Sequence, residues 1–254
     1  MARRHEGCRL FHVKICGLTT PADARLAVEA GADAIGLNFV PGSPRFLTID
    51  AARSVAAAIP RDTLRVGVFA GATAEEILDT VKAVGLDAVQ LHGHLVMGPA
   101  AGVPARDGGD QPELCGRLSG LAVIRAVRLA AVPLGAPETD GLAEARRWIE
   151  AAAALGSPPS MALVDAHAPA GTAAGRLGGT GATVDWVRLA RTPPLPVPMA
   201  LAGGLTPANV AAAILSTGLR AVDTASGVES APGIKDPDKL RAFVTAARRA
   251  IFSA

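Results

Sequence analysis

Short apolar runs rich in β-branched residues alternate with longer segments of helical periodicity along the chain. The runs are FHVKIC from Phe11, AIGLNF from Ala34, RVGVF from Arg65, AVQLH from Ala88, LAVIRAV from Leu121, MALVDA from Met161, PMALAG from Pro198 and RAVDTAS from Arg220. Each has the length of a strand, and helical patterns separate them. Several helices carry start signals. Thr20 precedes Pro21, Thr48 precedes IDAARSVAA, and Thr73 with Glu76 three residues on forms a capping box. Thr206 before Pro207 reads as a cap followed by a proline at the first helical position. After the fourth run the pattern is weaker, and PELCGRL is the expected helix.

Strands alternating with helices predict a parallel sheet, because each return to the same edge needs a crossover. Eight β/α units within 254 residues fit a single (β/α)8 TIM-barrel domain spanning 1–254. A doubly wound open sheet remains the alternative, since periodicity does not reveal closure. In both architectures the chemistry belongs at the carboxyl ends of the strands.

Composition narrows the partners. Half of the chain, 50%, is hydrophobic, only 3% is aromatic, charged residues make up 19%, and the net charge is +2. Such a chain buries a core and does not read as disordered. With so few rings and no basic excess, a nucleic-acid partner is not expected. The charge-free stretch from Thr192 to Leu219 is broken by prolines and by Gly203, Gly204 and Gly218, so it reads as a turn, a short run and a helix. No membrane partner is expected from it. The basic MARRHEGCRL start lacks a following apolar segment, and a cytoplasmic location is the expectation. Cys8, Cys16 and Cys115 are odd in number and lack metal-ligand spacing, so neither a disulfide nor a metal site is expected.

The strand ends collect a short set of reactive groups: Cys16 with Gly17, Asn38 and the loop to Arg45, Phe69, Gln90 to Gly93, Arg125, Asp165, Gly203 with Gly204, and Asp223 to Gly227. Cys16 reads either as a small buried hydrophobe or as a thiol facing substrate. Lys14, two residues earlier on the same face, would favour a thiolate or serve as a structural ion-pair partner. Asp165 closes an apolar run, where it caps a loop or acts as a proton donor with a raised pKa. Arg45, between Pro41, Pro44 and the third strand, suits a substrate carboxylate. Asp223 would receive sugar hydroxyls or bond to backbone.

Two glycine-rich loops, Gly203-Gly204 and Ser226-Gly227, follow the last two strands, where converging N–H groups can cradle a phosphate. GGTG, with Gly179 and Gly181, adds a third wall or is simply a pliant loop. No P-loop or dinucleotide fingerprint is present, and no cofactor is expected.

Together VKICGLT, DAIGLNFVPGSPR, VGVF, LDAVQLHG, LVDA, GGTGATVDW, LAGGLTPANV and AVDTASGVESAPGIKD resemble, in order and over nearly the whole chain, phosphoribosylanthranilate isomerases of tryptophan biosynthesis. The resemblance implies the barrel, the substrate N-(5-phosphoribosyl)anthranilate and an Amadori rearrangement. It implies Cys16 as general base, Asp165 as general acid and Arg45 as a substrate-binding residue. It also implies phosphate contacts from the GGTG, GGL and SGVE loops, in a monomer or homodimer. Departures fall after the fourth and sixth strands, where loops near 94–110 and 166–177 look inserted. The competing readings are a histidine-pathway phosphosugar isomerase, which would pair two aspartates, and a non-catalytic phosphate-binding barrel.

Overall fold

The fold follows from the alternation of inward and outward residues on eight short parallel strands. The computed structural model describes residues 10–92, 111–130, 141–167 and 186–253. The strands are β1 (Val13–Cys16), β2 (Ala34–Asn38), β3 (Leu64–Phe69), β4 (Ala88–Leu91), β5 (Ala122–Ala130), β6 (Met161–His167), β7 (Met199–Leu201) and β8 (Val222–Thr224). Each pairs in parallel with its sequence neighbour, and β1 also pairs with β8, so the sheet closes. Closure removes the open-sheet alternative.

The helices are α1 (Pro21–Glu29), α2 (Ile49–Ala56), α3 (Ala74–Val84), α4 (Glu113–Arg117), α5 (Gly141–Ala154), α6 (Trp186–Arg191), α7 (Val210–Thr217) and α8 (Pro237–Phe252). Thr20, Thr48 and Thr73 cap α1, α2 and α3 as the sequence predicts, and the Thr73–Glu76 capping box is complete. Burial divides along the pleat. Val13, Ile15, Ile35, Leu37, Val89 and Leu91 point outward into the layer shared with the helices.

The inward positions form a second core containing Ala34, Val66, Ala88, Ile124, Ala126, Met161, Leu163, Ala200, Ala202 and Ala221. Much of the barrel interior is therefore alanine, with the space filled by a few large side chains. Small inward residues leave the upper barrel for polar groups.

Two local departures matter for the site. The helix after β7 begins at Val210, one turn later than the Thr206-Pro207 signal predicts. Asn209 is the cause: its Oδ1 accepts from Thr206 N–H at 2.8 Å and its Nδ2 donates to Gly204 O at 3.0 Å. That side chain satisfies the loop locally, so a turn precedes the helix.

The second is a two-stranded antiparallel ribbon, β9 (Glu229–Ala231) with β10 (Ile234–Lys235), between β8 and α8. It turns at Gly233, where φ is 81°, and is tied to the β1–α1 loop by Thr19 Oγ1 donating to Gly233 O at 2.7 Å.

Candidate active site

Cys16 ends β1 and faces the barrel interior with Lys14 below it. Its sulfur sits over Gly36 of β2, where an added Cβ would lie 2.5 Å from Sγ, so only glycine leaves room for the thiol. A mid-strand glycine is the sequence signal for such a close approach. Lys14 is fully buried and donates to Asp223 Oδ1 at 2.8 Å across the β1–β8 pairing.

Burial pushes the Cys16 thiol above its ordinary pKa, and the charge and hydrogen bond of Lys14 oppose that push without cancelling it. Burial would lower the Lys14 ammonium, but Asp223 and Cys16 outweigh it and hold its pKa up. Lys14 is thus both an ion-pair partner and a cation beside the thiol. Asp223 is committed to Lys14 through Oδ1. Its Oδ2 makes no hydrogen bond among the described residues.

Arg45 lies in the loop after β2, which is held by its own side chains: Asn38 Oδ1 accepts from Val40 N–H at 2.8 Å, and Ser43 Oγ accepts from Arg45 N–H at 3.2 Å. The Arg45 stem crosses Gly17, where a Cβ would lie 2.2 Å from Cδ. Gly17 also has φ of 71°, so steric room and backbone conformation both demand glycine there. The guanidinium is buried rather than solvated. Its Nε and Nη2 donate to Glu229 Oε1 and Oε2 at 2.7 and 2.6 Å.

Lys235, the cross-ribbon partner of Glu229, donates to Glu229 Oε1 at 2.8 Å, to Cys16 O at 2.7 Å and to Ala225 O at 2.9 Å. Burial works against the Glu229 carboxylate, but the Arg45 hydrogen bond and Lys235 charge outweigh it and depress its pKa. Glu229 and Lys235 carry no assigned role from the sequence. The only signal was their place in SGVE and in GIKD beyond the last strand.

Asp165 ends up inward on β6. His92 Nε2 is 3.7 Å from Asp165 Oδ2, beyond hydrogen-bond length. Gln90 Nε2 lies 3.1 Å from His92 Nδ1. With Gln90 as donor, Nδ1 accepts and the ring proton sits on Nε2, toward Asp165. Gln90 is 2% exposed, and its Oε1 has no hydrogen-bond partner among the described residues. In the closed barrel β7 and β8 separate β6 from β1 on the short side. Cys16 and Asp165 therefore approach the mouth from well-separated strands.

The two late loops interlock. Thr224 Oγ1 donates to Leu205 O at 2.7 Å, and a Cβ on Gly227 would fall 1.8 Å from the same oxygen. Gly227 thus has a packing reason to be glycine. Gly203 and Gly204 have φ of 84° and 63°, and among the described residues their N–H groups donate to nothing. Ser226 opens a 3-10 turn beside them. Successive N–H groups in a turn, without an acceptor among the described residues, are the kind of backbone arrangement that can receive an anion. Gly179 and Gly181, like the loop at 94–110, lie outside the described residues.

Among the described residues no helix is long and apolar enough to cross a membrane, and no cluster of His, Cys, Asp and Glu is placed to hold a metal ion.

Comparison with known proteins agrees with the closed eight-stranded barrel. The family model for N-(5'phosphoribosyl)anthranilate (PRA) isomerase matches residues 13–102 and 149–246. The N-(5'-phosphoribosyl)anthranilate isomerase of Myxococcus xanthus is 41% identical over 93% of this chain and 95% of its own length. That of Magnetococcus marinus is 40% identical over 94% of this chain and 95% of its own. Among solved structures, phosphoribosyl anthranilate isomerase from Thermotoga maritima superposes with a TM-score of 0.73 at 34% identity, covering 94% of this chain and 98% of that one. Another such isomerase, solved with reduced 1-(o-carboxyphenylamino)-1-deoxyribulose 5-phosphate, gives a TM-score of 0.67 at 32% identity over 94% and 98% of the two chains.

Proposed function

The chain belongs to the N-(5'-phosphoribosyl)anthranilate isomerase family, and from that premise we propose that it rearranges N-(5'-phosphoribosyl)anthranilate to 1-(2-carboxyphenylamino)-1-deoxyribulose 5-phosphate, with Cys16 as general base and Asp165 as general acid. The observation that carries the reading is the placing of a buried thiol and a carboxyl group, inward on β1 and β6, in one barrel mouth. Asp165 gives a proton to the furanose ring oxygen as the C1–O bond breaks, and the anthranilate nitrogen lone pair forms the C=N bond. Cys16 then takes the C2 proton, leaving an enolamine that becomes the ketone as C1 takes up a proton and the C2 hydroxyl releases its own to solvent. Electrons move only within the substrate, so the rearrangement needs no external oxidant or reductant.

The surrounding groups fix the two ends of the substrate. Arg45 binds the anthranilate carboxylate, while Gly203, Gly204, Ser226 and Gly227, with Gly179 and Gly181, hold the phosphate. Asp223 Oδ2 receives a sugar hydroxyl. Holding both ends lets acid and base act on fixed atoms, which is worth several orders of magnitude in rate.

The test is an anthranilate-fluorescence assay on purified protein with substrate generated from anthranilate and ribose 5-phosphate. Wild-type protein consumes the fluorescent substrate. Cys16→Ser and Asp165→Asn each cut turnover by at least about 100-fold, the lower end for losing an acid–base group. A Cys16→Ser enzyme at near wild-type turnover removes the assigned base. Wild-type protein without turnover, and without complementation of a tryptophan auxotroph, overturns the reading.

A further inference from the structure

Arg45 reaches its place through a device that the reaction itself does not explain. A guanidinium offers two edges for bidentate binding: a side-on edge made of Nε and one Nη, and an end-on edge made of both Nη groups. Glu229 occupies the side-on edge with both oxygens. Nη1 makes no hydrogen bond among the described residues, and Nη2 keeps a second N–H. No described residue therefore occupies the end-on fork, and the whole side chain is only 7% exposed.

Glu229 is itself fixed. Lys235 sits opposite it across the ribbon and binds Oε1 at 2.8 Å, and Lys239 Nζ donates to Glu229 O at 2.7 Å. The same Lys235 ammonium binds the carbonyl of Cys16, and the Arg45 stem lies on Gly17 immediately after it.

We propose that Glu229 and Lys235 are positioning residues that hold the end-on fork of Arg45 for the substrate's aryl carboxylate, in fixed register with the base on Cys16. This rests on the isomerase reading above and adds to it the source of carboxylate selectivity. Without Glu229 the flexible arginine side chain has several rotamers and no reason to keep one edge free. Lys235 keeps Glu229 ionised and links the fork to the end of β1. Carboxylate recognition and the base thereby share one hydrogen-bonded frame.

The experiment compares two substrates, formed from ribose 5-phosphate with anthranilate or with aniline, which lacks the carboxylate. The ratio of their kcat/KM values is read in wild type, Glu229→Gln, Glu229→Asp and Lys235→Met. Wild type prefers the anthranilate substrate. Glu229→Gln lowers that preference at least about tenfold, the scale of one charge-assisted hydrogen bond, and the loss lies mainly in KM. Glu229→Asp, which keeps the charge, recovers part of it.

Equal losses on both substrates mark a merely structural role and overturn the inference. If Glu229→Gln does not fold, the ratio in Lys235→Met decides in the same way: a reduced preference supports the inference and an unchanged one overturns it. Wild-type protein inactive on the anthranilate substrate instead overturns the isomerase reading, so the two failures are distinguishable.

Discussion

Cys16 is placed by chain position and tuned by its neighbours. The end of a barrel strand marked it in the sequence, and Lys14 two residues earlier marked a possible counter-charge. The sequence alone did not separate a catalytic thiol from a small hydrophobe, because that difference lies in what surrounds the sulfur. Burial raises its pKa, so with Cys16 as the proposed base kcat/KM is expected to rise with pH toward a limb above the ordinary thiol range. Lys14 opposes that shift. Replacing it in Lys14→Met moves the limb to still higher pH and lowers the rate at neutral pH; a limb that stays in place would remove Lys14 from the base's electrostatics. Gly36 was not legible as a site residue, since a lone glycine in a strand has several explanations. Its contact with Sγ supplies the reason. Gly36→Ala displaces the sulfur and is expected to cost on the order of 100-fold in kcat, the scale of an ångström misplacement, while thermal melting shows whether the strand survives.

The helix caps at Thr20, Thr48 and Thr73 were readable because capping chemistry is local. The start of α7 was not, because Asn209 competes for the loop's own groups. The β9–β10 ribbon was harder still: it is short, carries no alternating run of its own, and its meaning comes from Arg45, 184 positions away in the chain. The sequence offers Arg45 for a substrate carboxylate, but gives no sign of the Glu229 carboxylate that holds it. The ribbon also makes folding sensitive to acid. The Glu229 pKa is depressed in the folded chain, since the Arg45 hydrogen bond and Lys235 charge outweigh the burial that would raise it. Its contribution to stability is therefore present above the unfolded carboxyl value of about 4.3 and is lost as pH falls through the lower folded value. Urea midpoints measured from neutral pH down through that window should fall for wild type, and fall less for Glu229→Gln, which has no proton to take up.

Eight units were countable from the sequence, yet closure was not, because the pattern within each unit is the same in an open sheet. Closure depends on β1 meeting β8 at opposite ends of the chain. There Lys14 and Asp223 are direct partners in the register, and their ion pair is buried at 0% and 10% side-chain exposure. The pair thus belongs to the barrel seam as well as to the site. Taking two charges out of water is costly, so such a pair adds little net stability over a well-packed apolar pair, but breaking one half strands the other charge. Asp223→Ala is expected to destabilise the fold by roughly 3–5 kcal/mol. In the double variant Lys14→Met, Asp223→Leu no buried charge is left unpaired, and most of that loss should return. Catalysis should not return with it, because the cation beside Cys16 and the carboxylate proposed to receive a sugar hydroxyl are both gone. Chemical denaturation of the two single variants and the double variant, with kcat/KM on each, separates the seam from the site. A double variant that recovers both stability and rate would make the pair purely structural, whereas recovery of stability alone shows that the pair also serves catalysis, through the ammonium beside the thiol or the carboxylate proposed to meet the sugar.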